Sequence, residues 1–302
     1  MGILECIGNT PLVRIDGINP NPRVKVFAKL EGNNPGGSVK DRIALYMIEA
    51  AEKDGRLTRD KMILEATSGN TGIGLAMVAT AKKYRVKLTM PACVSIERRR
   101  ILEAFGAELI LSPSEEGTDG AIRSAQRILS EEPGKYFMPN QFDNEANVLA
   151  HYETTGKEII EQTGGTITHF VAGMGTTGTL MGTGKRLKEF NKDIKIVGVE
   201  PALNHRIQGL KNMSESIVPK IFDPFRLDER SPVNDEEAFD TTRMLAVKEG
   251  IFVGMSSGAA MHIALRKSSE LKEGVIVVIF PDRGDRYLST SLFTSVCAKC
   301  PP

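Results

Sequence analysis

Strand-length apolar runs alternate with longer stretches of helical period along most of this chain, and that alternation restricts the fold more than any other feature. The clearest runs are residues 62–66, 86–90, 109–111, 169–172, 194–199 and 275–280. Between them lie amphipathic stretches at 73–84, 95–105, 120–129, 146–162 and 236–249. Such an order specifies parallel strands covered by helices. Two sets, one before and one after about residue 145, predict two α/β domains with a cleft between them. The length agrees, because 302 residues exceed the size at which a single core usually keeps growing. No fixed-period repeat or long linker interrupts the pattern.

Charge excludes several partners. Lys plus Arg number 39 against 38 Asp plus Glu, so no basic excess calls for nucleic acid or an anionic membrane. The opening Met1-Gly2-Ile3-Leu4-Glu5 lacks a basic region followed by an apolar run, and no stretch is long and apolar enough to span a bilayer. A cytoplasmic protein is the expectation. The four cysteines, Cys6, Cys93, Cys297 and Cys300, are too scattered for a disulfide framework. Cys297-Ala-Lys-Cys300 has the spacing of a metal or dithiol pair. With no second pair and no neighbouring histidine, it reads as a frayed tail.

The most informative single residue is Lys40. Asn33-Asn34-Pro35-Gly36-Gly37 is turn chemistry, Ser38 suits an N-cap, and Val39, Ile43, Met47 and Ile48 share a helical face. Lys40 therefore falls in the first helical turn, where a cation opposes the helix dipole and Asp41 agrees with it. A positive setting favours the neutral, nucleophilic amine needed for imine formation. A surface lysine reaching water is the alternative.

Three strand-to-helix junctions carry anion-binding chemistry. Thr67-Ser68-Gly69-Asn70-Thr71-Gly72 precedes a helix beginning near Ile73, and its hydroxyls would complete a carboxylate cradle around the exposed N–H groups. Gly173-Met174-Gly175-Thr176-Thr177-Gly178-Thr179 follows the strand at 169–172. It satisfies G-x-G-x-x-G, and with Glu200 at the end of the next strand it also suits a dinucleotide. Its three threonines better suit a phosphate monoester. Gly254-Met255-Ser256-Ser257-Gly258 opens a third helix, where a serine could serve only as an N-cap. Together, one lysine, a carboxylate-type loop, a phosphate-type loop and a serine form an inventory for a phosphorylated aldehyde cofactor.

These residues resemble the cysteine synthase family, the O-acetylserine sulfhydrylases of the tryptophan synthase β-like, fold type II group of pyridoxal-phosphate enzymes. The likeness starts at Ile7-Gly8-Asn9-Thr10-Pro11-Leu12 and runs through Asn34-Pro35-Gly36-Gly37-Ser38-Val39-Lys40-Asp41-Arg42, the 67–72 loop, Asn140-Gln141-Phe142 and the 175–179 loop. It ends with Ser256-Ser257-Gly258-Ala259-Ala260 and Gly284-Asp285-Arg286-Tyr287-Leu288-Ser289-Thr290, nearly the whole chain. Glu97-Arg98-Arg99, His151-Tyr152-Glu153-Thr154-Thr155-Gly156 and Asp282-Arg283-Gly284-Asp285-Arg286 look more like the B-type branch.

The resemblance implies two three-layer αβα domains with twisted, mostly parallel sheets and a cofactor cleft between them. Residues 35–144 would form the smaller, mobile domain that closes over substrate, and 1–34 with 145–302 the larger, phosphate-binding one. It implies pyridoxal 5′-phosphate held as an imine on Lys40, with Asn70 at the cofactor's 3′-oxygen and Gly175, Thr176, Thr177, Gly178 and Thr179 around its phosphate. Ser256 would face the pyridine nitrogen, with neighbouring Ser257 the alternative. Thr67, Ser68, Gly69, Thr71 and Gln141 would hold the substrate carboxylate.

The implied reaction is β-replacement. An activated serine, O-acetyl-L-serine or O-phospho-L-serine, loses its β-substituent and a sulfur donor such as sulfide adds, giving L-cysteine. Freed Lys40 is the natural general base. Lys211, in Ile207-Gln208-Gly209-Leu210-Lys211-Asn212-Met213, stands where some B-type relatives place a basic side chain for an anionic leaving group. A solvated loop lysine is its alternative. The resemblance also carries a homodimer and, as protein partners, a serine acetyltransferase or a sulfur-carrier protein. Three rival readings remain: a related serine or threonine dehydratase, which needs no sulfur donor; a nicotinamide oxidoreductase built on the 173–178 loop, which gives Lys40 no role; and a non-catalytic binding homologue, which would have little reason to keep the lysine and both loops. No regulatory module or haem-type extension of an animal cystathionine β-synthase is seen.

Overall fold

The computed structural model describes residues 1–67, 69–94 and 96–293. The chain divides into two compact units, Met1–Ile7 with Asn34–Asn147, and Gly8–Asn33 with the chain from Val148 onward. The second unit opens with β1 (Leu12–Ile15) and β2 (Val24–Leu30), paired antiparallel. Alternation along β2 buries Val24, Val26 and Ala28 completely, while its lysines break up the apolar run that would mark a strand.

In the first unit, α1 (Lys40–Lys53) leads to β3 (Met62–Ala66), α2 (Asn70–Lys82), β4 (Val86–Pro91), α3 (Ile96–Ala104), β5 (Glu108–Ser112), α4 (Gly117–Glu131) and β6 (Tyr136–Phe137). The four strands lie parallel in the order β5-β4-β3-β6. Met62, Leu64 and Ala66 share a core with Ala121 and Ala125 of α4. Strand alternation therefore turns Ile63 and Glu65 to the opposite face. The helix predicted to begin near Ile73 starts at Asn70, because Gly69 supplies the N-cap backbone. Val39, not Ser38, is the N-cap of α1, although the Ser38 hydroxyl accepts the Lys40 N–H at 3.2 Å.

Beyond α5 (Glu145–Ala150), the second unit continues with α6 (Gly156–Gln162), β7 (His169–Gly173), α7 (Gly178–Phe190), β8 (Lys195–Pro201), β9 (Glu229–Val233), α8 (Asp235–Glu249), α9 (Met255–Glu270) and β10 (Gly274–Phe280). The sheet order is β1-β2-β10-β7-β8-β9, parallel except at β1. Its two faces bury separate cores. Ile276, Val278 and Phe280 of β10 pack with α8 and α9, whereas Val277 and Ile279 pack with α6 and α7. Three layers result. Boundaries follow local chemistry: Asn234 and Glu237 close a reciprocal capping box at the start of α8, and Gly250 ends it at φ +68°. The single helix expected over 146–162 is interrupted by one wide π turn, His151–Thr155.

Candidate functional site

The lysine is built into its place by the backbone around it. Lys40 is the first residue of α1 and half-buried. Asp41 is fully buried, and its carboxylate accepts the Gly36 N–H at 2.6 Å, which ties the Pro-Gly-Gly turn to the helix start. A β-carbon on Gly36 would lie 2.6 Å from the Asp41 carboxylate, so only glycine fits. Gly74, one turn into α2, plays the corresponding part between helices: a β-carbon there would sit 3.0 Å from the Lys40 carbonyl. The N-terminal ends of α1 and α2 therefore meet with their backbones in close approach. Lys40 and the loop entering α2 share one corner of the first unit.

That loop is ordered by buried hydroxyls and one amide. Thr67, Thr71 and Gln141 are buried. The Thr67 hydroxyl accepts the Gly69 N–H at 3.3 Å. Thr71, in the first turn of α2, donates to the Gln141 side-chain oxygen at 2.6 Å, joining positions seventy residues apart. Asn70 opens the same turn. Ser68 lies outside the described residues. Arg98 of α3 packs on this loop, close enough that a β-carbon on Gly69 would meet its guanidinium at 3.0–3.1 Å.

Glu65 was not singled out in the sequence, although a carboxylate inside an apolar strand run was visible there. Its side chain is buried on β3 and accepts the backbone N–H groups of Asn140 at 2.8 Å and Gln141 at 3.0 Å. Burial pushes its carboxyl up to about 7, with those two bonds acting in the opposite direction.

The phosphate-type loop lies in the second unit. It leaves β7 at Gly173, and α7 begins at Gly178, so the free N–H groups of that helix start follow Thr176 and Thr177 directly. Thr177 adopts φ +68°, a left-handed conformation that strains a β-branched residue and is characteristic of ligand clamps. Its hydroxyl is buried with no hydrogen-bond partner among the described residues. A multiply charged oxyanion at the helix start would satisfy it. Gly175 leaves no room for a side chain, since a β-carbon would meet the Gly209 carbonyl at 2.6 Å. The segment 207–211 lies against this loop, and the Lys211 N–H donates to the Met174 carbonyl at 2.7 Å.

A histidine that the sequence marked only as part of a branch-specific stretch supports the same helix start. His151, fully buried in the π turn, has Nδ1 3.0 Å from the Thr155 hydroxyl and Nε2 3.2 Å from the Thr179 hydroxyl. Its signal was a histidine and a threonine four residues apart inside an apparent helix.

Ser256 and Ser257 occupy the first turn of α9, whose N-cap is Gly254, so neither serves as the cap. The Ser257 hydroxyl is buried with no hydrogen-bond partner among the described residues, while Ser256 keeps 4% of its surface open. Glu200, which a dinucleotide would require for its ribose, is instead engaged by Arg230 at 2.7 Å and by the Met213 N–H at 2.8 Å. Among the described residues no cluster of His, Cys, Asp and Glu could hold a metal. Cys297 and Cys300 lie outside them.

Each unit thus holds part of what a phosphorylated aldehyde needs: an amine beside a carboxylate-type loop in one, a strained oxyanion loop and a helix-borne serine in the other. Comparison with known proteins agrees. Residues 3–282 match the pyridoxal-phosphate dependent enzyme family. A cysteine synthase of Aquifex aeolicus is 50% identical over 300 residues, covering 97% of this chain and 92% of that protein. Cysteine synthase B of Escherichia coli is 48% identical, with 96% and 95% covered. The crystal structure of a cysteine synthase from Entamoeba histolytica superposes with a TM-score of 0.92 at 42% identity, covering 97% of this chain and 90% of that one. An amine, two anion loops and a serine in this chain order, with such likeness over nearly all its length, make the chain a member of the cysteine synthases within the pyridoxal-phosphate-dependent enzymes.

Proposed function

We propose that this protein makes L-cysteine by β-replacement on an activated L-serine, with O-acetyl-L-serine the default substrate and sulfide the simplest sulfur donor. The observation that carries the reading is the meeting of α1 and α2 at their N-terminal ends, which sets Lys40 beside the Thr67–Thr71 loop. When bound, pyridoxal phosphate supplies a conjugated electron sink that stabilises negative charge at the amino acid's Cα. Lys40 Nζ would hold the cofactor aldehyde, and the same amine would serve as the base for the substrate's Cα proton. Thr67, Ser68, Gly69, Thr71 and Gln141 hold the substrate carboxylate. Asn70 would meet the cofactor's ring oxygen, and Gly175 to Thr179 would take its phosphate with the N–H groups and dipole of α7.

Ser256 is assigned to the pyridine nitrogen on the family likeness, with Ser257, whose buried hydroxyl has no hydrogen-bond partner among the described residues, the alternative. A serine there leaves that nitrogen weakly protonated, which favours prompt loss of the β-substituent. Lys211, alongside the phosphate loop, would assist a substrate with an anionic side group. Closure of the smaller domain, a homodimer, a cytoplasmic location and a serine acetyltransferase or sulfur-carrier partner follow from the family likeness. No helix among the described residues is long and apolar enough to cross a membrane.

Reconstitution with pyridoxal phosphate, borohydride reduction and peptide mapping test the reading. The adduct is expected on the peptide containing Lys40, and Lys40→Ala should abolish it together with cysteine formation, lowering turnover by at least roughly 10²–10⁴-fold. An adduct elsewhere, or full turnover by the variant, would overturn the assignment.

A further inference from the structure

A charged residue with no part in the reaction holds the Asn140–Gln141 turn from within the sheet. Glu65 is the penultimate residue of β3, between fully buried Leu64 and buried Ala66, with 2% of its own surface exposed. Two successive backbone N–H groups converge on it, Asn140 on Oε2 at 2.8 Å and Gln141 on Oε1 at 3.0 Å. Asn140 takes a left-handed φ of +52°, which aims neighbouring N–H groups at one anion. The turn is then clasped from two further sides. Asn147 donates to the Gln141 carbonyl at 2.8 Å, and Thr71 donates to the Gln141 side-chain oxygen at 2.6 Å. With that oxygen engaged by Thr71, the Gln141 amide is held in one orientation.

An ionised carboxyl in this position is unfavourable for the fold alone. Desolvation opposes the charge, and an apolar residue would suit the strand better. What the carboxyl does achieve is a rigid turn, since its two oxygens accept two successive backbone N–H groups, bonds that are about twice as strong wherever the group is ionised.

We propose that Glu65 is a positioning residue for the amino-acid substrate: it fixes the Asn140–Gln141 turn so that the Gln141 amide, oriented by Thr71, meets the substrate carboxylate. This rests on the assignment of Gln141 and Thr71 to the carboxylate site. Glu65→Gln turns one acceptor into a donor facing an N–H group, whereas Glu65→Asp keeps the charge but withdraws it by one methylene.

The test uses the holoenzyme of wild type, Glu65→Gln, Gln141→Ala and the double variant. Steady-state rates give kcat and KM for O-acetyl-L-serine and for sulfide. Binding of L-serine is followed through the cofactor's visible absorbance. Glu65→Gln and Gln141→Ala should each weaken O-acetyl-L-serine and L-serine roughly tenfold or more, with kcat and the sulfide KM changed less than about twofold. The double variant should be no worse than Gln141→Ala, because both act through one group. An effect of Gln141→Ala without one of Glu65→Gln removes Glu65 from the site and leaves the carboxylate assignment standing. No effect of Gln141→Ala shows that assignment to be wrong, and the proposal with it. A fall in kcat equal to the loss in binding marks a general structural role and overturns the proposal. If Glu65→Gln does not accumulate folded, Glu65→Asp carries the same comparison.

Discussion

Lys211 shows how far a single side chain is defined by its neighbours. Its N–H is fixed to the Met174 carbonyl, so its Cα cannot leave the glycine loop, and the side chain is a point charge on a flexible stem. Lys211→Ala is expected to lower kcat/KM for O-phospho-L-serine roughly tenfold more than for O-acetyl-L-serine, about 1.4 kcal/mol of discrimination. Paired kinetic measurements on the two substrates check this, and equal losses defeat it. At this scale the sequence was most readable where a residue's chemistry is announced by its immediate neighbours. The placement of Lys40 at a helix start after Pro-Gly-Gly-Ser-Val, and of the threonines at two strand-to-helix junctions, is of that kind. Glu65 was not, because its partners lie 75 and 76 positions away and its meaning exists only once β3 and the Asn140 turn are adjacent. The choice between Ser256 and Ser257 is likewise not legible locally, because the two are neighbours in the first turn of α9.

Among the elements, α7 and the π turn form the most tightly specified pair. Gly182 of α7 faces the Val148 carbonyl so closely that an added β-carbon would collide with it, and that β-carbon would also come within 2.8 Å of the His151 β-carbon and 2.9 Å of the Tyr152 nitrogen. These neighbours are mostly backbone and cannot swing aside. Gly182→Ala is therefore expected to destabilise the protein by about 1–3 kcal/mol despite alanine's better helix propensity. It should also weaken cofactor retention, since the π turn carries His151 to Thr179. Denaturant midpoints and cofactor release on dialysis would show both effects, and an unchanged midpoint would refute the packing argument. The strands at 62–66, 169–172 and 275–280 were legible because fully buried parallel strands are continuous apolar runs. β9, Glu-Arg-Ser-Pro-Val, was not: it is an edge strand, polar on its open side and tolerant of proline. The π turn was hidden for a different reason, as one extra residue per turn leaves the apolar pattern nearly intact.

For the molecule as a whole, near balance of 39 basic and 38 acidic residues removes net self-repulsion as the main determinant of stability near neutrality. Individual buried groups then set the pH dependence. Glu65 binds its proton more tightly folded, at about 7, than at its ordinary 4.5. Between those values the native state holds the extra proton, so this group's contribution to stability falls as pH rises across the interval and is level above it. Burial lowers His169 and His205, which act oppositely below their ordinary 6.5. Glu52, Asp228 and Glu229, held low by their lysine partners, act at lower pH still. Subtracting a Glu65→Gln profile from that of wild type isolates the first contribution. The difference should fall by on the order of 3 kcal/mol from pH 4.5 to 7, and a flat difference would contradict it.

The pairing of β2 with β10 has a bearing on biosynthesis. Val24–Leu30 emerges early, yet its parallel neighbour is Gly274–Phe280. At roughly 5–20 residues per second, translation separates the two by tens of seconds. The contiguous stretch Asn34–Asn147 can mature on the ribosome in that interval, while the early strand waits with an unmet edge for the last one to be made.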